Sequence, residues 1–274
     1  MLVDLKKYNK IYELGEGSFG KVFLIQDIKT NIKLVANESN ILCTSERDQQ
    51  EFIEKILRLS SIENNAVLPL YGFNLFNFEG KRFPTIITKY MSQESLKSLI
   101  TKTKDITSTR KYIILVGIAE GMKYLHSQKI IHGDLKSDNV LLDHNYYPLI
   151  CDFFDKINNE SINSIEAYFN TIIYQSPEVL EGRQPTSKSD VYSFSILAYR
   201  LITNKSPYPN VLSSEVLKKK VANKERPNIY LITNDRLKKL LTKCWSDNPA
   251  NRPSFNEIVE EMKDDNFIIS MNAE

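Results

Sequence analysis

The sequence contains few of the residues that mark metal-binding, disulfide-bonded or nucleic-acid-binding proteins. Its 274 residues include only three cysteines, Cys43, Cys151 and Cys244, which lie far apart in the chain. That spacing favours neither a disulfide framework nor a paired zinc motif. Charge is nearly balanced, with 36 basic and 34 acidic residues and a net charge of +2. We therefore expect no general attraction to nucleic acid or to a membrane surface.

Long apolar runs, a signal-peptide pattern, internal repeats and low-complexity tracts are also missing from the sequence. Together with the scattered cysteines, these absences predict a reducing, cytoplasmic setting. What is present is an ordinary globular composition, with 42% hydrophobic and 26% charged residues. Such a chain has enough apolar material for one large lobe or two coupled smaller lobes.

The hydrophobic pattern changes along the chain. Up to about residue 83 it is typical of strands, in the runs KVFLIQDI, KLVAN and AVLPLYGF, around one helix-like stretch, DQQEFIEKILRLSSI. From Ser95 onward apolar residues recur at helical spacing, as in RKYIILVGIAEGMKYLHS and SDVYSFSILAYRLIT. The pattern therefore predicts a strand-rich part followed by a helical part.

The segment IIHGDLKSDNVLL, residues 130–142, places polar residues at short fixed spacings between two apolar runs. One interpretation is a polar turn between buried strands, because Gly, Asp, Ser and Asn are common in turns. The segment also resembles the H-R-D-L-K-x-x-N catalytic loop of the protein kinases, with Gly133 in place of arginine. This resemblance implies that Asp134 orients the substrate hydroxyl, Lys136 steadies the transferring phosphoryl group and Asn139 holds a metal ion.

The resemblance extends over the whole protein kinase domain, from about Tyr8 to Met262. It implies an α+β, two-lobed kinase fold, with a small antiparallel β-sheet lobe carrying one main helix and a larger, mostly helical lobe. The implied boundaries are about 8–88 for the small lobe, 89–91 for the hinge, 92–264 for the large lobe and 265–274 for a frayed tail. Thr88, in the hinge segment TIITKYM, takes the gatekeeper position.

Three glycines in GEGSFGKV, namely Gly15, Gly17 and Gly20, lie in a strand-turn-strand context that resembles the kinase glycine loop. Glycine suits this task because a backbone without side chains can close over phosphates and offer its N–H groups. The resemblance implies ATP and Mg²⁺ as cofactors. Besides the glycines, it assigns nucleotide binding to Val22, Ala36, Thr88, Lys89, Met91 and Leu141.

The lysine that kinases carry on the third strand is missing. Aligning KLVANE by its Val-Ala puts Glu38 at that position, whereas ungapped counting from the glycine loop puts Asn37 there. Neither side chain is a cation. The position that matches the family's helix glutamate is equally open, because ungapped counting gives Lys55 and a one-residue gap gives Glu54.

Two ideas follow from the missing lysine. One is that Glu38 and Lys55 form a charge-reversed pair that holds the helix in place; the alternative is two unrelated surface charges. The other is that Lys21 replaces the lysine, as in the with-no-lysine kinases. On a strand, however, Lys21 must point opposite to Gly20 and Val22, away from the nucleotide.

Further motifs concern the metal and the activation segment. Asp152 in LICDFFD corresponds to the aspartate of D-F-G, so Asn139 and Asp152 are the expected magnesium ligands. Phe154 replaces the motif's glycine and either restricts switching or is simply a buried aromatic.

Downstream, the segment SPE, residues 176–178, takes the place of A-P-E. The resemblance implies that Glu178 pairs with Arg252. It also implies that Asp190 orients the catalytic loop.

Lys136 together with Thr171 resembles the Ser/Thr kinases, and LPLYGF, KSDVYSFSIL and NPANRPSF resemble the tyrosine-kinase-like group. Because Gly133 replaces the family's arginine, the side chain that commonly binds a phosphate on the activation loop is missing. Phosphorylation remains chemically possible at Ser161, Ser164, Tyr168 and Thr171.

We expect a kinase-like signalling domain that binds ATP and Mg²⁺ with impaired Ser/Thr phosphotransfer, as a pseudokinase or weak kinase. The alternatives are an active Ser/Thr protein kinase or, less favoured, a small-molecule kinase. The expected partner is a protein substrate or a regulatory protein. The oligomeric state is left open.

Overall fold

The computed structural model describes residues 1–16, 19–91, 95–102, 106–153, 170–211 and 213–272. It divides into two compact units, Met1–Ser92 and Gln93–Glu274. The division falls one residue beyond the predicted hinge, 89–91. The predicted change from strands to helices follows the same division.

The N-terminal unit is built on a five-stranded antiparallel sheet with the order β1-β2-β3-β5-β4. Its strands are β1 (Tyr8–Glu16), β2 (Gly20–Asp27), β3 (Lys33–Ser39), β4 (Leu70–Asn74) and β5 (Thr85–Lys89), and its main helix is α1 (Glu46–Ser60). A capping box between Ser45 and Asp48 fixes the start of α1, because each residue satisfies the other's backbone N–H.

Each face of the sheet is covered differently. One face carries a buried apolar cluster. Its members are Leu5, Phe23, Ile25, Leu34, Ala36 and Ile87. On the other face lies α1, which turns its buried residues Phe52, Ile56 and Leu59 inward. The ring of Phe52 meets that of Phe73 on β4 edge to face, with centroids 5.9 Å apart.

The C-terminal unit is mainly helical in its described part. Its helices are α2 (Leu96–Lys102), α3 (Ser108–Ser127), α4 (Pro177–Leu180), α5 (Ser187–Thr203), α6 (Ser214–Ala222), α7 (Asp235–Cys244), α8 (Phe255–Met262) and α9 (Asp265–Asn272), and its strands are β6 (Val140–Leu142) and β7 (Pro148–Ile150). The long helices α3 and α5 pass through the core, and nearly every residue of α5 from Ser189 to Leu201 is buried. The predicted fold class is confirmed.

The C-terminal tail corrects one expectation. Residues 265–274 were expected to fray, but Asp265–Asn272 form α9, and the Phe267 side chain is fully buried. Its ring centroid lies 6.5 Å from that of Tyr112 on α3. Burial of an aromatic side chain offsets the entropic cost of ordering the segment, so the end of the described chain is packed.

Two further observations concern the cysteines and the length of the apolar helices. All three cysteines are buried and free. Within the described ranges, no helix is both long enough and apolar enough to cross a membrane.

Candidate active site

A short hairpin brings the two expected metal ligands to one place. Strands β6 and β7 pair antiparallel, with Val140 opposite Ile150. Asn139 directly precedes β6, and Asp152 follows β7 by two residues, so the hairpin places both at its open end. The Cys151 N–H donates to the Asn139 carbonyl over 3.0 Å, which extends the pairing to this end.

The predicted catalytic side chains form one hydrogen-bonded network. The Lys136 ammonium lies 2.9 Å from the Asp134 carboxylate and donates to the Thr171 hydroxyl, also over 2.9 Å. The Asn139 side-chain amide donates to the Asp134 carbonyl over 2.8 Å and to its carboxylate over 3.3 Å. The network fixes the position of the Asp134 carboxylate and keeps a cation beside it.

Asp190 holds the backbone of this loop, as predicted. It lies in the first turn of α5 and is 1% exposed. Its carboxylate accepts the backbone N–H groups of His132 and Gly133 over 2.9 and 2.8 Å. It also contacts the His126 Nε2 atom of α3 at 2.8 Å. The sequence analysis missed His126, because only the packing of α3 beside α5 shows that its ring reaches Asp190.

Histidine and glycine in the catalytic loop have distinct local roles. Burial lowers the pKa of His132, so its ring is neutral, and its Nδ1 atom accepts the Asp134 N–H over 3.2 Å. Gly133 has a φ of +71°, in the left-handed region that favours glycine. The departure from arginine thus removes backbone strain as well as a charge.

Asp152 combines an unusual backbone with an unusual acidity. Its φ is +57°, which turns the chain sharply after β7. Loss of solvation and, to a smaller degree, the charge of Asp134 raise the pKa of Asp152 to about 6. The nearby Lys136 ammonium opposes this shift. Two carboxylates at one place therefore carry an excess of negative charge that a bound cation would relieve.

The donor set suits a magnesium ion that takes its other ligands from phosphate. Asn139 and Asp152 offer an amide oxygen and a carboxylate, the oxygen ligands that Mg²⁺ prefers. No group of three or more His, Cys, Asp or Glu residues capable of holding a metal occurs in the described part of the chain.

The predicted pair of Glu178 and Arg252 is confirmed. The Arg252 guanidinium binds both carboxylate oxygens of Glu178, at 2.6 and 2.9 Å. It also donates to the carbonyls of Lys188 and Ser246 and is 1% exposed. Burial alone would raise the pKa of Glu178, but the hydrogen bonds and charge of Arg252 hold it below its ordinary value. The pair ties α4 to the segment before α8.

In the N-terminal unit, Gly15 is the last residue but one of β1 and Gly20 is the first residue of β2, while Gly17 lies outside the described residues. A Cβ atom added to Gly20 would overlap the backbone carbonyl of Glu38 on β3. Glycine is therefore required at position 20 for β2 and β3 to approach each other. Phe154, Ser161, Ser164 and Tyr168 also lie outside the described residues.

The register of the sheet sorts the residues near the missing lysine onto two faces. Val22, Asn37 and Ile86 lie opposite one another across β2, β3 and β5. Ile86 is opposite Phe73 of β4, which α1 contacts. Directly opposed residues share a face, so Val22 and Asn37 lie on the face covered by α1. Val35 and Thr88 are likewise opposite each other and belong to this face.

Ala36 and Glu38 lie on the opposite face. Ala36 is paired with Phe23 and Ile87 and belongs to the apolar cluster. The structure therefore does not bring Ala36 to Val22, although the sequence analysis assigned both to the nucleotide. The residue of β3 that shares a face with Val22 and lies two positions before Asn37 is Val35.

The expected pair of Glu38 and Lys55 is wrong. Glu38 points away from α1 and pairs with Lys10 of β1, whose ammonium lies 3.0 Å from its carboxylate. The Phe78 N–H also donates to that carboxylate over 3.3 Å. The Lys10 ammonium sits 3.5 Å above the Phe23 ring, so this corner is held by charge and cation–π contacts. Recognising Lys10 required the β1–β2 register.

Other expectations receive definite positions. Lys21 lies opposite Glu38 with 59% of its side chain exposed, so it points away from the Val22 face, as predicted. On α1, Glu54 is exposed and Lys55 is half-buried.

Leu141 is half-buried between the buried Val140 and Leu142, so it faces the other side of the hairpin. Lys89 is the last residue of β5, and Met91 lies two residues beyond it.

Comparisons with known proteins agree with this geometry. The family described as protein tyrosine and serine/threonine kinase matches residues 8–262, the extent expected from the sequence. The chain is 30% identical over 93% of its length to dual specificity protein kinase shkB of Dictyostelium discoideum. It is 29% identical over 92% to receptor-interacting serine/threonine-protein kinase 1 of Homo sapiens and, over the same share, to receptor-interacting serine/threonine-protein kinase 4 of Mus musculus. It spans 39%, 40% and 33% of these three relatives.

Proposed function

Since the chain belongs to the protein tyrosine and serine/threonine kinase family, we propose that it is an impaired Ser/Thr protein kinase. In this proposal it binds ATP with Mg²⁺ and slowly transfers the γ-phosphoryl group to serine or threonine hydroxyls of a protein. One observation carries the proposal. The Asp134, Lys136, Thr171 and Asn139 network is fully assembled, whereas the β3 position on the Val22 face is Asn37.

The proposed chemistry assigns a step to each residue of the network. The Asp134 carboxylate orients the substrate hydroxyl and takes its proton as the oxygen attacks the γ-phosphorus. The Lys136 ammonium, 2.9 Å from Asp134, stabilises the negative charge that develops on the phosphoryl oxygens. Asn139 and Asp152 would hold Mg²⁺, which neutralises phosphate charge when it is bound. The leaving group is ADP, and the products are a phosphorylated side chain and one proton.

Asn37 accounts for the proposed impairment. It is uncharged, so it cannot neutralise phosphates as the family's lysine does. Loss of one well-placed stabilising group typically costs about 2.7–4 kcal/mol, or 10²–10³ in rate. Kinases commonly turn over at about 1–100 s⁻¹, so a measurable residual activity is expected.

Thr171 and the names of the relatives support serine or threonine as the acceptor. The Thr171 hydroxyl bonds to Lys136, the pair that the sequence analysis associated with Ser/Thr kinases. The relatives are named serine/threonine or dual specificity kinases. Because the chain spans about two fifths or less of their length, its substrate, partners, cytoplasmic location and place in the tyrosine-kinase-like group belong to the proposal.

A second candidate function is non-catalytic: a pseudokinase that binds nucleotide and acts by contact with a partner protein. The observation that favours it is the same Asn37, because the loss falls in the N-terminal unit, where phosphate binding is expected. Both candidates share ATP binding. They differ in whether a phosphoryl group is transferred.

The experiment is a phosphotransfer assay with ATP, Mg²⁺ and an unstructured protein rich in serine and threonine, with Asp134→Asn as the control. We expect slow phosphoserine or phosphothreonine formation that the variant loses while keeping ATP affinity. Equal signals from both proteins would contradict the catalytic proposal. If calorimetry still detected magnesium-dependent ATP binding, the pseudokinase function would stand.

A further inference from the structure

We propose that Lys55, on α1, supplies the phosphate-neutralising cation that β3 lacks. The inference rests on the proposed function, because it concerns how ATP is bound. In the family, the strand provides the cation and the helix provides its carboxylate partner. Here Asn37 on the strand and Lys55 on the helix would divide these roles the other way round, with a neutral acceptor on β3 and a cation on α1.

The first step is the face on which phosphates would lie. Val22 follows the glycine loop, and its directly opposed neighbour on β3 is Asn37. Val22, Asn37, Ile86 and Phe73 form one continuous row across four strands of the sheet. A group that assists phosphates bound beneath the glycine loop must reach this row from the same face.

The second step concerns α1, which covers that face. Phe52 of α1 and Phe73 of β4 are in edge-to-face contact at 5.9 Å. Successive helical residues are about 100° apart, so Lys55 lies about 60° around the helix from Phe52 and about 40° from Leu59. Lys55 thus flanks the buried stripe and is half-buried. Glu54 lies about 160° around the helix from Phe52, on the side away from the sheet, and is exposed.

The third step concerns the hydrogen bonding of the Asn37 side chain. Its side-chain oxygen is buried and has no hydrogen-bond donor among the described residues. A buried acceptor without a donor is unfavourable, because it has lost its hydrogen bonds to water, so such an atom points to a missing partner. An ammonium group is a suitable donor: one of its hydrogens would bind Asn37 while the others bind phosphate oxygens. The long aliphatic stem of lysine allows this reach from a helix flank.

The fourth step removes the other candidate cations of β1 and β2. Lys10 belongs to the far face, where it pairs with Glu38 and stacks on Phe23. Lys21 lies opposite Glu38 on the same far face and is exposed. Neither side chain is directed toward Asn37, whereas Lys55 is carried by the helix that covers the Asn37 face.

The test compares affinities for ATP and for adenosine, measured by calorimetry with Mg²⁺ on the whole chain. Lys55→Met keeps the stem and removes the charge, Lys55→Arg keeps a cation, and Arg58→Met removes an exposed cation from the same helix as a matched control. A charged hydrogen bond is worth about 1.5–3 kcal/mol, or about 10- to 150-fold in affinity. We expect Lys55→Met to weaken ATP binding by about that factor and to leave adenosine binding unchanged.

The remaining outcomes separate the two proposals. Wild-type ATP affinity in Lys55→Met overturns the Lys55 assignment alone. An equal loss for ATP and adenosine also overturns it, since it indicates a merely structural role. Lys55→Arg, which keeps a cation, should bind ATP more tightly than Lys55→Met, and equal ATP affinities of these two variants would likewise overturn the assignment. If the wild-type protein binds no ATP at millimolar concentration, the proposed function fails, and the Lys55 assignment fails with it. Thermal unfolding without nucleotide verifies that each variant is folded.

Discussion

Asn37 of β3 and Val22 of β2 lie directly opposite each other, on the sheet face that α1 covers. This relationship decides between the two alignments that the sequence left open. Glu38, the alternative residue, faces the other way and bonds to Lys10. The sheet face that carries Val22, just after the glycine loop, therefore also carries the neutral amide of Asn37. The helix on that face, α1, carries Lys55.

The first prediction restores the family's charge arrangement. We expect the double change Asn37→Lys with Lys55→Glu to raise the rate of phosphotransfer by about 10²–10³, because a strand cation with a helix carboxylate is recreated. Asn37→Lys alone should gain less, since it places two cations close together. Steady-state rates of the four proteins in this cycle provide the measurement. If the effects of Asn37→Lys and Lys55→Glu simply add in the double variant, positions 37 and 55 are not coupled, which would contradict this prediction.

The second prediction concerns the hydrogen bond from Lys136 to Thr171. Thr171→Val removes the hydroxyl and should lower the phosphotransfer rate by about 10- to 100-fold, because Lys136 loses a partner that positions it. Thr171→Ser retains the hydroxyl and is the matched control. A valine variant as active as the serine variant would indicate that the network does not depend on this contact.

The third prediction is a pH-dependent stability difference at Asp152. Its pKa is raised to about 6 from an ordinary value near 3.8. Above pH 6 the folded protein therefore carries a poorly solvated charge, and this penalty disappears as the pH falls through 6 toward 4. Asp152→Asn should stabilise the magnesium-free protein above pH 6 by an amount on the order of 2 kcal/mol.

Denaturant unfolding of wild type and Asp152→Asn between pH 4 and 8 measures this difference. Asparagine tolerates the left-handed backbone of residue 152, so the change tests charge rather than conformation. The variant should also lose any magnesium-dependent stabilisation by ATP. A stability difference that does not change with pH would contradict the assigned titration.

The fourth prediction concerns the buried pair of Glu178 and Arg252. Glu178→Gln leaves an uncompensated buried guanidinium and should cost about 3–5 kcal/mol of stability near pH 7. The pKa of Glu178 is lowered by folding, so the pair's contribution is complete above its ordinary pKa, near 4.5. It is lost as the pH falls through the lower, folded value.

Denaturant unfolding from pH 3 to 8 tests this expectation. Glu181→Gln is a suitable control, because Glu181 bonds only to the exposed Arg183 among the contacts of its carboxylate in the described chain. The Glu178→Gln penalty should shrink at the acid end, and the Glu181→Gln penalty should be small throughout. A large penalty that persisted at pH 3 would show that the ion pair is not its source.

The fifth prediction addresses Gly133, where the family has arginine. With a φ of +71°, Gly133→Ala should lose about 1 kcal/mol of stability through backbone strain. Space is not the cause, since an added Cβ would lie 3.5 Å from Pro185, an ordinary contact. Gly133→Asn, which tolerates this backbone, should lose less. Equal losses in thermal or denaturant unfolding would exclude φ as the reason.

Local patterns accounted for the parts of the site that lie close together in sequence. The spacing of Asp134, Lys136 and Asn139 within one loop predicted a shared network, and the hydrogen bonds confirm it. The pair of Glu178 and Arg252, although 74 residues apart, followed from two recognisable motifs. By contrast, His126 beside Asp190 and Lys10 beside Glu38 had no motif, because helix packing and strand register create those contacts.

The sequence by itself determined the kinase family, the two-part organisation and the residues of the catalytic loop, because short motifs and hydrophobic periodicity are local properties. Only the tertiary structure decided which residue of β3 shares a face with Val22 and which residue of α1 is turned inward. The physical reason is that strand side chains alternate with a period of two, so a shift of one residue exchanges Asn37 for Glu38 and reverses the face. Pairing with β2 and β5 fixed that register, and packing of Phe52 on Phe73 fixed the helix face.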